Sequence, residues 1–101
     1  MPTLITRDNT TGALNIDIEL KNEEGKLTIG SDLSSGSLPV SFWDGTTFVA
    51  LQRCDSAVEL TSTNNMELID GPGIYRFAKP ANVSFIAYIG TESNATIIEV
   101  S

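Results

Sequence analysis

The side chains able to do chemistry in this chain are few and poorly matched to one another. It carries 13 Asp and Glu, 6 Lys and Arg, a single cysteine (Cys54) and no histidine. Without His, the usual general base for a Ser or Cys nucleophile is missing. Cys54 has one basic neighbour, Arg53, and no imidazole to draw off its proton, so it reads as a small buried or half-buried side chain rather than a nucleophile. Two carboxylates could run glycoside hydrolysis. Here, however, the acids are dispersed over turns (Asp8, Asp32, Asp44, Asp55, Asp70) and strand exteriors (Asp17, Glu19, Glu99). Loop aspartates also suit calcium, but no DxDxDG spacing occurs, and Asp is an ordinary turn former. GxSxG, HExxH, GxGxxG and the phosphate-binding GxxxxGK(S/T) pattern are all absent. The chain reads as non-enzymatic, with no catalytic residue, cofactor or metal ligand to name.

Composition narrows the class further. A length of 101 residues suits one core that buries roughly 60–70% of the unfolded surface. At 41% apolar and 19% charged, the chain is too apolar for a disordered tail. Its net charge of -7 repels phosphate backbones and anionic membranes, and its basic residues never cluster, so neither nucleic acid nor membrane is an expected partner. No apolar run approaches the ~20 residues of a spanning helix. The opening MPTLITRDNT lacks the basic end and apolar stretch of a signal peptide, so the chain reads as mature from its start and as made in a reducing compartment. Acceptor triplets for glycosylation at Asn9, Asn82 and Asn94 read as coincidence in a sequence this rich in Asn, Ser and Thr.

The elements that must position these groups are strands. No stretch keeps apolar residues at helical spacing, whereas ALNIDIEL sets Leu14, Ile16, Ile18 and Leu20 on one face and Asn15, Asp17 and Glu19 on the other. A turn at KNEEG, with Gly25 supplying positive φ, would return KLTIG as a hairpin partner. GSDLSSGS reads as a connection, either a loop crossing between two sheets or a mobile surface loop. Asp44-Gly45 between LPVSFW and TTFVALQ predicts a two-residue hairpin turn. That turn opposes Trp43 with Thr46, Phe42 with Thr47, Ser41 with Phe48 and Val40 with Val49. Leu38, Val40, Phe42, Val49 and Leu51 then form a core face, and Trp43 and Phe48 share the outer one. SAVELT makes a further strand. DGPG (70–73) predicts a second hairpin that opposes Ile69 with Ile74, Leu68 with Tyr75 and Glu67 with Arg76. NVSFIAYIG reads as a strand buried on both faces, and ATIIEV follows a TESN turn.

Turns every 8–12 residues without a helix predict an all-β fold, a single antiparallel β-sandwich of about eight strands, jelly-roll or immunoglobulin-like. Residues 1–12 read as an N-terminal arm and 13–101 as the sandwich domain. Trp43, Phe48, Ile69 and Ile74 fall on outer faces, which need a second layer, a neighbouring chain or a ligand to cover them. Trp43 and Tyr75 are candidates for stacking on a sugar ring, which would make the chain a carbohydrate- or receptor-binding β-module.

SGSLPVSFWDGTTFVAL (35–51) and GPGIYRFAKPANVSFIAYIG (71–90) resemble the short β-hairpin units of small accessory virion proteins of tailed bacteriophages, of the head decoration or cement type. The resemblance covers under half of the chain and transfers no individual functional residue. It implies a compact β-domain, often trimeric, made in the host cytoplasm and seated on the capsid surface. Its partners would be the major capsid protein and further copies of itself.

Overall fold

A computed structural model describes residues 3–9, 11–21, 26–89 and 95–100. It is all-β, with no helix among the described residues and antiparallel pairing throughout. The strands are β1 (Thr3–Asp8), β2 (Leu14–Leu20), β3 (Lys26–Ser31), β4 (Ser37–Trp43), β5 (Phe48–Ala50), β6 (Gln52–Arg53), β7 (Ser56–Ala57), β8 (Glu59–Thr61), β9 (Met66–Asp70), β10 (Gly73–Lys79), β11 (Phe85–Ile89) and β12 (Ala95–Val100). Twelve strands therefore stand where the turn spacing suggests about eight.

Pairing forms a four-stranded sheet in the order β1-β11-β3-β9 and a six-stranded sheet in the order β12-β2-β10-β4-β5, with β8 also on β4. The short ribbon β6-β7 stands apart. Outside the β4–β8 stretch, each successive strand lies in the opposite sheet from the one before it. β2 and β3 are therefore not a hairpin, and neither are β9 and β10. The DGPG turn carries the chain across the core, so the expected Ile69–Ile74 and Glu67–Arg76 pairs do not form. Turn chemistry reports that the chain reverses, but not which sheet it joins next. Gly73, at φ 149°, opens β10 so close to Phe42 that a Cβ would stand 2.5 Å from the ring. The residues expected to turn at 22–25, with Gly25, and at 91–94 lie outside the described set. The first dozen residues are not an arm over their described length, because Thr3–Asp8 pairs with β11 as an edge strand. Residues 32–36 do join the two sheets, as the first of the two GSDLSSGS readings expects.

At Asp44-Gly45 the observed pairs are Ser41–Ala50, Phe42–Val49 and Trp43–Phe48 around a four-residue loop. The Asp44 carboxylate accepts the N–H groups of Thr46 (2.8 Å) and Thr47 (2.9 Å), and the Asp44 N–H donates to Thr47 O, which widens the turn. The register shift is even, so the side chains keep their expected alternation, but Val49, expected in the core beside Phe42, is 42% exposed because β5 lies at the end of the sheet. Beyond β5 the partner strand of β4 is interrupted. Val40 N–H donates to Val58 O, Leu51 N–H donates to Val40 O, and residues 52–57 leave the sheet as the β6-β7 ribbon before β8 resumes pairing with β4. SAVELT is therefore split in two. Cys54 and Asp55 form the ribbon's tip at φ 53° and 65°, so Cys54 is exposed, contrary to its expected burial.

One core joins the two sheets. Ile16, Ile18, Leu20, Leu38, Val40 and Phe77 point into it from the six-stranded sheet, and Leu27, Ile29, Ile69, Phe85 and Ala87 meet them from the other. The Phe77 and Phe85 rings stack across the gap, with centroids 5.1 Å apart. β11 is buried on one face only, since Ile86 and Tyr88 are half-exposed. At the end of the core Lys79 is 1% exposed, and its ammonium donates to the carbonyls of Gly12 (2.9 Å), Pro80 (3.1 Å) and Val83 (3.0 Å). This ties the β1-β2 and β10-β11 loops to the sheet. Lys79→Met strands those carbonyls and is expected to cost about 3 kcal/mol, lowering Tm by roughly 12–24 °C. Thermal unfolding by circular dichroism checks this, and a loss of about 1 kcal/mol or less would contradict the bridging role.

Candidate interaction surface

The outer face of the six-stranded sheet is built from alternate residues of β2, β10, β4 and β5. Trp43 and Phe48 are directly opposed, with ring centroids 5.0 Å apart at 58°. The Arg76 guanidinium lies 3.9 Å over the Phe48 ring and grips Asp17 through two hydrogen bonds of 2.8 and 2.9 Å. Asp17, 3% exposed, is thereby both buried and satisfied. Its hydrogen bonds raise the Arg76 pKa further. Trp43, Phe48 and Ile74 are half-buried by neighbours in their own sheet. Asp17, Glu19 and Glu99 make this face acidic.

Two of the five candidate surface residues belong elsewhere. Ile69 is 1% exposed and opposes Leu27 on the inner side of β9. Tyr75 is 4% exposed on the inner side of β10, its ring 5.4 Å from Phe42. The Tyr75 hydroxyl donates toward Gly71 O (2.9 Å), with Asp70 O at 3.2 Å, and burial pushes its pKa up. Ile69 is misplaced by the hairpin reading because β9 and β10 lie in different sheets, so opposing it with Ile74 puts it on the outer side. Tyr75 is a candidate for its ring alone, although the hairpin register itself sets it on the face opposite Ile74.

The most exposed apolar surface lies on the opposite side of the molecule. Register aligns Leu4, Tyr88, Thr28 and Leu68 in one row across the outer face of the four-stranded sheet, and Arg7, Ile86, Gly30 and Met66 in the next. Leu4, Leu68 and Met66 are 45%, 42% and 56% exposed. Gly30 leaves a hollow of about 390 Å³ between Ile86 and Met66. A Cβ there would stand 3.3 Å from Ile86 and 3.5 Å from Met66, so any side chain would begin to fill it. Arg7, Asn9, Asp32 and Asn65 supply its polar rim.

The adjoining edge continues the apolar surface. β12 runs beside β1 and leaves Ile97, Ile98 and Val100 exposed. Of the seven exposed large apolar side chains among the described residues, only Val49 lies away from this face and edge. Sequence reasoning missed them because it assigned Leu68 a hairpin partner and read ATIIEV simply as a last strand. The signal present was the unbroken Ile-Ile pair in a strand at the end of the chain's pattern. No group of three or more His, Cys, Asp or Glu able to hold a metal occurs among the described residues.

Two loop carboxylates give the fold an acid-sensitive element. Asp32 at the rim accepts the Ser84 N–H (2.7 Å), and Asp44 accepts those of Thr47 and Thr46; each set of bonds holds the carboxyl below its ordinary 3.8. A depressed carboxyl pKa contributes stability that is present above the unfolded value and lost as pH falls through the folded one. The double change Asp32→Asn with Asp44→Asn is therefore expected to flatten the fall of Tm below about pH 4 relative to the parent chain. Equal slopes in melts across that range would refute the assignment.

Searches of protein-family models, curated proteins and solved structures find no match, so the functional reading rests on these surfaces.

Proposed function

We propose that this chain is a non-enzymatic structural protein of a bacteriophage virion, a capsid decoration or cement subunit that stabilises the shell by protein–protein contact. The observation that carries the reading is the outer face of the four-stranded sheet, where Leu4, Leu68 and Met66 stand exposed and Met66 borders the hollow at Gly30. Soluble monomers rarely leave contiguous apolar surface uncovered without a partner for it. The hollow accepts a side chain from that partner, and the rim provides polar contacts around an apolar centre, the usual arrangement of protein interfaces. The partners are the major capsid protein and further copies of the chain. Many copies bridging neighbouring capsomers would raise the cost of opening the shell by avidity.

We read the fold itself as one sandwich of jelly-roll class. If β5 and β8 count as one interrupted strand and the ribbon is set aside, β1 to β11 become about eight strands. In chain order the sheets then run first-eighth-third-sixth and second-seventh-fourth-fifth, with β12 added beside the second. An immunoglobulin-like sandwich instead keeps its first two strands in one sheet. Jelly rolls serve in both viral capsid and lectin domains, so the fold alone does not select a function.

The carbohydrate-binding alternative loses support at the residues it needs. Tyr75 is in the core, and one face of Phe48 is taken by Arg76. The test uses purified shells lacking the protein. Adding the chain is expected to raise the temperature at which they open, while Met66→Lys with Leu68→Lys, folded by circular dichroism, neither binds nor stabilises. Unchanged shell stability with the parent chain would remove the cement role. Glycan binding abolished by Trp43→Ala would move the function to the alternative.

A further inference from the structure

We propose that β12 is the self-association edge of this chain, and that two copies pair their β12 strands antiparallel about a two-fold axis between Ile97 and Ile98. The inference deepens the contact role proposed above and rests on it only in treating the chain as a contact protein.

β12 bonds β2 along one edge and no other strand among the described residues along its other edge. Exposed edges are normally guarded by Lys, Pro or an inward charge. ATIIEV has no Lys or Pro, and its one charge, Glu99, lies on the outer face opposite Asp17. Ile97, Ile98 and Val100 are instead 36%, 47% and 51% exposed, with Leu4 of β1 extending the apolar surface.

The strand's own pattern selects the register. Pairing with β2 sets Ala95, Ile97 and Val100 on the inner face, opposite Leu20, Ile18 and Ile16, and Thr96 and Glu99 on the outer face, with Ile98 at the irregularity between them. Directly opposed residues in a sheet must share a face. An axis between Ile97 and Ile98 meets that rule at both pairs whose faces the β2 pairing fixes, inner Ala95 with Val100 and outer Thr96 with Glu99, and brings Ile97 against Ile98 at the centre. A slip of one residue in either direction sets Glu99 against an inner Ala95 or Ile97. The same register keeps the two Glu99 carboxylates apart, which matters for a chain of net charge -7. The resulting contact is isologous and closes as a dimer, in place of the trimer that the family resemblance implies.

Sedimentation velocity from low to high micromolar concentration is expected to show a monomer–dimer equilibrium that Ile98→Lys weakens about a hundredfold while the folded spectrum is kept. In a Cys54→Ser background, Thr96→Cys combined with Glu99→Cys is expected to give a disulfide-linked dimer, and either change alone none. A parent chain that stays monomeric, an oligomer indifferent to Ile98→Lys, or a single-cysteine variant that cross-links as well as the pair would each overturn the proposal. A monomer that still binds and stabilises shells would overturn it while leaving the cement role standing.

Discussion

β10 is held between β2 and β4, and its strict alternation of side chains constrains the rest of the molecule. Inward, Tyr75 packs on Phe42, Phe77 stacks on Phe85 of the opposite sheet, and Lys79 closes the end of the core through three loop carbonyls. Outward, Arg76 neutralises Asp17 and covers Phe48. A period of two gives one strand both tasks only if its register is fixed, because a slip by one residue would drive Arg76 into the core. The Asp17 pair and the Phe77 stack therefore fix the register from opposite sides of the sheet.

What the sequence made legible was whatever depends on that period. The alternation of Leu14 to Leu20 correctly separates the core face of β2 from its solvent face. The faces of the Trp43–Phe48 hairpin survive a mistaken loop length because the error was an even number of residues. What stayed hidden depends on contacts distant in sequence. DGPG has the composition of a hairpin turn, yet it crosses between sheets, and nothing local in it distinguishes the two. Lys79 looks like any surface lysine until Gly12 and Val83 are seen beside its ammonium. Cys54 sits at a φ that residues with side chains rarely adopt, and no turn signal of Gly or Asn marks the place.

The same blindness displaced the candidate surface. Local reasoning looked for large aromatics on a wet face and found Trp43 and Phe48, which partly cover one another, with a salt-bridged arginine over Phe48. The exposed apolar residues are smaller and come from strands far apart in sequence: Leu4, Met66, Leu68 and, on the adjoining edge, Ile97, Ile98 and Val100. Charge divides the molecule in a complementary way. On the outer face of the six-stranded sheet Arg76 offsets Asp17, and Glu19 and Glu99 leave the face net acidic, which discourages contact with another acidic surface there. The outer face of the four-stranded sheet has Arg7 beside an apolar hollow, a surface suited to burial.

Oxidative footprinting of the free chain and of the chain mixed with the purified shells proposed as its partner, read at Met66 and Trp43, tests the central claim directly. The account predicts that the Met66 thioether is oxidised in the free chain and protected on assembly, while labelling of Trp43 is unchanged. Protection of Trp43 with Met66 still reactive would place the contact on the opposite face and contradict the account.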